Sequence, residues 1–326
     1  MRHSSFHDSP LHVLLNAASG RDDAQSTYAL IGQKLAESGR RYRIEMVERG
    51  HDIPHTAQRL AAQALAQGGV VVAAGGDGTI NAVAQAAHDA GCPMGVLPQG
   101  TFNYFSRTHG IPQDTAAAVE AMLGAQAHPV QVGLINNRVF LVNASLGLYP
   151  DLLEDREAYK QRFGRSRVVA LFAAGATLLR EHRQLRLRIE RGGAVRDVRS
   201  ATLFVGNNRL QLEQVGLPEA RAIDQGRVAA VMLKPTSTWG LVRLMWRSAQ
   251  GELAEVQEVE HFQFQHMTVQ PWLPYGSRRV KVATDGEVSL MRAPLEFRVS
   301  PRPLYLLKPA VRPGAADTVE HAAAHL

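Results

Sequence analysis

The segment VVVAAGGDGTINAVAQAAHDAG, residues 70–91, constrains the fold more than any other part of the chain. Val70 to Ala74 is apolar without alternation, as a strand buried on both faces of a parallel sheet must be. Ile80, Val83, Ala84 and Ala87 then recur at helical spacing from a start near Thr79, and Gly91 is a natural stop. Between strand and helix lies Gly75-Gly76-Asp77-Gly78-Thr79. Glycines there let backbone N–H groups approach a ligand closely, and a helix N-terminus adds partial positive charge, which suits phosphate. Thr79 either caps the helix or meets a phosphate oxygen. A plain tight turn capped by Asp77 would use the same residues. The spacing is neither GxGxxG nor GxxxxGK[ST], so the usual dinucleotide and P-loop signatures are excluded.

The first third repeats this alternation. LHVLLN (11–16) is a short apolar strand, followed by helix-like sequence to about Ser38 and a stop at Gly39. RYRIEMV (41–47) reads as a strand, 56–67 as a helix and MGVLP (94–98) as another buried strand. Strand–helix repetition predicts a parallel sheet covered by helices. After about Val130 the pattern changes. QVGLINNRVFLVNASLGL (131–148) holds two strands joined at Asn136-Asn137, and an Arg-rich helical stretch covers roughly 152–182. Alternating runs at 185–190, 201–206, 227–233, 261–270, 278–284 and 287–291 then predict an antiparallel β domain. The tail 310–326 has no periodicity and reads as disordered.

Composition narrows the classes. With 45% hydrophobic and 20% charged residues the chain is globular, and its one cysteine, Cys92, excludes a disulfide framework and zinc-ligand spacing. No apolar signal core opens the sequence, and 168–179 is too short to span a bilayer. A soluble cytoplasmic protein is expected, with membrane contact only peripheral, at the inner face. The net charge of +6 concentrates between Arg156 and Arg199, where basic residues outnumber acidic ones roughly three to one. That stretch either meets an anionic surface or is a solvated face. No nucleic-acid module is present.

A second loop repeats the design. GVLPQGTFN (95–103) places Gly100, Thr101 and Asn103 after a strand, and Asn16 and Ser19 follow the first strand. Loops at the carboxyl ends of neighbouring parallel strands face one crevice, where open α/β sheets bind ligands. GGDGTIN, GVLPQGTFN and the late TDGE (284–287), with the opening NAASG (16–20) and FVGNN (204–208), resemble the diacylglycerol kinase catalytic-domain family, which includes sphingosine kinases and bacterial lipid kinases. The resemblance implies an N-terminal α/β nucleotide domain like that of phosphofructokinase and NAD kinase over 10–133, completed by 294–309. It implies a β-sandwich substrate domain over 134–293.

It also implies an ATP-dependent lipid kinase with Mg²⁺. Asn16, Ser19, Gly75, Gly76, Gly78, Thr79, Asn81, Gly100, Thr101 and Asn103 would hold the nucleotide. Glu287 would be the base, Asp285 would orient it or contact metal, and Asp77 would hold Mg²⁺ or the terminal phosphate. Asp285-Gly286 between 278–284 and 287–291 is also simply a favoured hairpin turn. Three positions depart from the family: Ala82 stands for its Glu, Tyr104 for its Asp, and Gln225 for the second Asp of its metal segment, leaving Asp224 as the metal candidate. The family's Gly-rich stretch is replaced by NRLQLEQVG (208–216). An NAD kinase-like enzyme and a nucleotide-binding regulatory module that has lost catalysis are the alternatives. The expected partners are a nucleoside triphosphate, a lipid, an anionic membrane surface and a second copy of the chain. SLGLYP (145–150), 168–179 and the Trp-bearing 237–250 are candidate lipid-contacting segments.

Overall fold

The computed structural model describes residues 9–19, 23–147, 184–234, 247, 258–273 and 277–309. The expected helical stretch at 152–182, the apolar 168–179, the end of 145–150, all of 237–250 except Arg247, and the tail 310–326 lie outside the described residues. The chain forms two compact units, Met1–Val130 with Leu304–Leu326, and Gln131–Pro303.

The first unit is an α/β layer. Strands β1 (Leu11–Asn16), β2 (Tyr42–Val47), β3 (Val70–Gly75), β4 (Met94–Pro98), β5 (Gln126–Val130) and the late β18 (Leu304–Lys308) form one sheet in the order β2-β1-β3-β4-β18-β5. All pairs are parallel except β18 with the edge strand β5. Every residue of β3 and β4 is buried, which explains their unbroken apolar sequence. Helices α1 (Ala24–Glu37), α2 (Ile53–Ala66), α3 (Asp77–Ala90), α4 (Tyr104–Thr108) and α5 (Thr115–Leu123) accompany the sheet. The apolar stripe of α3, with Ile80, Val83, Ala84 and Ala87 fully covered, follows the expected spacing. The helix begins at Asp77 rather than near Thr79, because Gly76 takes the extended N-cap position and Gly78 is tolerated in the first turn. Left-handed Gly91 ends it. The segment that returns to this sheet is β18 alone; residues 295–299 belong to the second unit.

Within this unit His109 stands edge-on to Phe105 near Lys308, and burial lowers its pKa to about 4. The unfolded chain therefore binds the proton more readily than the folded one between pH 6.5 and about 4. Stability from this group is complete above pH 6.5 and is lost as pH falls through that window. We expect thermal midpoints recorded across this range to slope less steeply in His109→Gln than in the unaltered protein. Equal slopes would show that His109 does not titrate this way.

The second unit is two antiparallel six-stranded sheets. One has the order β10-β9-β14-β17-β6-β7: β10 (Ala194–Ser200), β9 (Leu185–Arg191), β14 (His266–Pro271), β17 (Leu295–Val299), β6 (Gly133–Ile135) and β7 (Arg138–Phe140). The other has the order β13-β12-β11-β8-β15-β16: β13 (Val259–Phe264), β12 (Val228–Leu233), β11 (Thr202–Gly206), β8 (Asn143–Gly147), β15 (Arg279–Thr284) and β16 (Glu287–Arg292). Both contribute to one core that includes Phe140, Leu146, Leu187, Leu203, Met267 and Phe297. Each large side chain fully removed from water there contributes about 1.5–3 kcal/mol. A short helix, α6 (Arg209–Gln214), and a 3-10 turn at Pro218–Gln225 pack with Ala229, Val231 and Val259 in a second cluster.

The run 261–270 is not one strand. Phe264 and Met267 are both buried, so the alternation slips phase at Gln265 and His266, and the chain passes from one sheet to the other.

Candidate functional site

In the first unit the loops after β1, β3 and β4 meet at the carboxyl ends of adjacent parallel strands. The Gln99 amide donates to the Gly75 carbonyl at 2.8 Å, which holds the second loop against the first. A Cβ on Gly75 would lie 2.5 Å from the Thr79 side chain, and one on Gly100 3.0 Å from the Gly76 Cα. The two turns therefore touch backbone to backbone, and no side chain fits between them. Asn16 Nδ2 donates to Thr79 Oγ1 at 2.9 Å and ties β1 to α3. Thr79, 4% exposed, thus serves as a buried strut, and its hydroxyl accepts in this bond and keeps its own proton to donate. Asn16 Oδ1 in turn accepts from the Ala18 amide, and Ser19 folds back onto the Asn16 carbonyl. Asn81 is buried on α3, and Thr101 is exposed.

No side chain caps α3, and among the described residues no acceptor meets the amides of Asp77, Gly78 and Thr79. These are the donors that an anion at a helix start would use. Asp77 Oδ2 accepts from the Asn103 amide at 3.2 Å, while Asp77 Oδ1 is buried without a partner. Burial pushes this carboxyl above its ordinary value, partly offset by the Asn103 amide. Asn103, left-handed at φ 45°, donates through Nδ2 to the Gly100 carbonyl and Gln113 Oε1, and its own Oδ1 also lacks a donor. Two buried acceptor oxygens without protein partners thus lie beside the uncapped start of α3.

The second unit holds the other carboxylates. Asp285 and Gly286, at φ 48° and 89°, form the tip of the β15–β16 hairpin, with the two left-handed residues of a tight hairpin turn. The Asp285 carboxylate accepts three backbone amides: Leu141 at 2.8 Å, Val142 at 2.8 Å and Asn143 at 2.9 Å. Its own amide donates to the Asn143 carbonyl at 2.9 Å. Asp285 therefore clamps the hairpin to the start of β8. Glu287, with its side chain 58% exposed, meets Arg138 at 3.3 Å and no other charged partner among the described residues, and Arg138 also donates to Ser289. Of the two, Glu287 is the exposed carboxylate.

Asp224, the metal candidate, lies on the 3-10 turn at Pro218–Gln225. Its carboxylate is paired with Arg209 at 2.8 Å, and Arg209 also holds Glu213. Among the described residues no group of three or more His, Cys, Asp or Glu could hold a metal ion. Two acids, Asp224 and Glu213, thus share one guanidinium, and a metal ion at Asp224 would have to compete with Arg209.

Sequence reasoning missed Gln99, Gln113 and Gln131. Gln99 reaches Thr115 and Gln113 reaches Asn103, which brace the second loop, and Gln131 reaches Asn207 of the FVGNN segment. Nothing in local sequence marks a glutamine as a brace.

Known proteins resemble the chain over about nine-tenths of its length. Residues 10–135 match the family described as diacylglycerol kinase catalytic domain, and residues 154–308 match the YegS C-terminal NAD kinase beta sandwich-like domain. A diacylglycerol kinase of Bacillus subtilis (strain 168) is 26% identical over 309 residues, 91% of this chain and 95% of its own. A diacylglycerol kinase of Staphylococcus aureus (strain JH9) is 30% identical over 190 residues, 56% of this chain and 58% of its own. A crystal structure of a diacylglycerol kinase from Bacillus anthracis str. Sterne shares the fold with a TM-score of 0.66 at 18% identity, covering 92% of this chain and 97% of that one.

Proposed function

The chain belongs to the diacylglycerol kinase catalytic-domain family, and from that premise we propose that it transfers the terminal phosphoryl group of magnesium-bound ATP to a hydroxyl of diacylglycerol or a related lipid. The observation that carries this reading is the uncapped start of α3, held backbone to backbone against Gly100 and flanked by the unpartnered oxygen of Asp77. Phosphoryl transfer asks a protein mainly for positioning and charge stabilisation. The amides of residues 77–79 supply donors to phosphate oxygens. Asp77 Oδ1 is suited to the metal that travels with the nucleotide.

In the reaction the lipid hydroxyl oxygen bonds to the γ-phosphorus as the bond to the β,γ-bridging oxygen breaks. The hydroxyl proton passes to the Glu287 carboxylate, which Arg138 keeps oriented. Asp285, occupied by three amides, positions the hairpin and takes no proton. A cytoplasmic location belongs to the same proposal, because ATP must reach the site.

The test pairs activity with stability. Purified protein is incubated with labelled ATP, Mg²⁺ and a panel of lipids plus NAD, and the labelled product is identified. Asp77→Asn should abolish turnover. Because burial raises the Asp77 pKa, the folded state binds its proton more readily than the unfolded chain. Its ionised form therefore costs stability as pH rises through the raised value. Above that window the thermal midpoint of Asp77→Asn should equal or exceed that of the unaltered protein. A normal kcat in this variant would remove Asp77 from the site, and labelled NAD phosphate as the sole product would replace the lipid reading.

A further inference from the structure

One end of the β10-β9-β14 sheet carries charge that its own fold does not use. On β9, Leu187 and Ile189 point into the core while Arg186 and Arg188 are exposed. The antiparallel register sets Arg199 of β10 directly opposite Arg186, and Asp197 opposite Arg188. Asp197 holds Arg188 through two hydrogen bonds at 2.9 and 3.2 Å. Arg186 and Arg199 have no side-chain partner among the described residues, and like charges placed opposite one another on a sheet destabilise it.

The neighbouring strand adds an aromatic. The Trp272 amide donates to the Arg186 carbonyl at 2.8 Å, which places Trp272 beside this pair, and its side chain is 62% exposed. Trp272 lines a cavity of about 370 Å³ with Arg188, Gln270 and Arg278, and Arg278 likewise lacks a side-chain partner among the described residues. Among the described residues of β9 and β10 the carboxylate at this end is Asp197, already paired with Arg188; Glu190 lies two residues further along β9.

Exposed tryptophan ringed by unpaired arginines suits the headgroup layer of a bilayer, where an indole has both an apolar and a wet environment. Basic side chains there gain from anionic lipid, each strengthening binding about fivefold. We propose that this end of the sheet is the surface by which the protein docks on an anionic lipid bilayer, with Trp272 entering the headgroup layer and Arg186, Arg199 and Arg278 meeting lipid phosphates. The inference rests on the lipid-kinase reading for its purpose. A lipid acceptor resides in a membrane, and no helix among the described residues is long and apolar enough to cross one.

The test measures co-sedimentation of the full chain with vesicles of phosphatidylcholine alone and with phosphatidylglycerol added. Activity is followed in parallel on a short-chain, water-soluble diacylglycerol. Binding should require phosphatidylglycerol and weaken with salt. Arg186→Glu with Arg199→Glu should lower it at least tenfold, Trp272→Ala should lower it several-fold, and Arg186→Lys with Arg199→Lys should retain it. Activity on the soluble substrate should be unchanged in all of these variants. Unaltered vesicle binding by the Glu pair and by Trp272→Ala overturns the proposal, and so does equal binding to neutral vesicles. Loss of binding in the Lys pair as well overturns it, since that result marks a structural role. Charge-dependent docking through this face by a protein that phosphorylates no lipid supports the surface and refutes the lipid-kinase reading instead.

Discussion

Glu287→Gln is expected to lower kcat by roughly 10²–10⁴-fold, the range of a general-base contribution, with little change in nucleotide affinity. Glutamine keeps the length of the side chain and one acceptor for Arg138 but cannot take a proton. The exposure of Glu287 and its single charged partner make a large folding defect implausible as the cause of any loss. Steady-state kinetics with ATP and lipid varied separately decide the matter. A variant with kcat near that of the unaltered protein would show that the proton goes elsewhere.

Asp285→Asn is expected to act on stability first. The carboxylate spreads three amides over two oxygens, whereas an asparagine presents one oxygen and turns an N–H toward at least one donor. Hydrogen bonds to charged groups contribute about 1.5–3 kcal/mol each, and an orphaned buried amide costs about 1–3 kcal/mol. A loss of roughly 2–4 kcal/mol, read as a lower denaturant midpoint at constant slope, follows. The turn itself survives, because Asn-Gly is as good a hairpin pair as Asp-Gly. Activity should fall as Glu287 loses its anchored strand end, and the double variant should lose less than the two single losses combined. A variant as stable as the unaltered protein but without activity would return Asp285 to the chemistry.

The contrast between these residues shows what sequence could and could not reveal. TDGE identified the hairpin and both acids, but their division of labour depends on residues 141–143, more than 140 positions away. The strands β3 and β4 were legible because complete burial leaves an unbroken apolar run, and β1 nearly so despite His12 and the half-buried Asn16. Edge strand β5, with Pro129, and edge strand β10, largely charged, carry no such imprint. Helix α5 was not anticipated, although Asp114 stands at its N-cap and its carboxylate accepts the amide of Ala117 at 2.8 Å. That Arg209 turns toward Asp224 was equally invisible, since the two lie 15 positions apart on a helix and a separate 3-10 turn.

The strand β18 sits between β4 and β5 in the first sheet, yet it is made only after the whole second unit. During synthesis the first sheet must therefore wait, with β4 lacking one neighbour and β5 lacking its only one, until the ribosome has released residues 304–308. Chains fold domain by domain as they emerge, and an incomplete sheet offers its bare edge to other chains meanwhile. Here the natural order is reversed: the second unit can close while the first is still open. A stop codon anywhere before residue 304 would remove more than the end of the chain, because it would leave the first sheet without its fifth strand in the row.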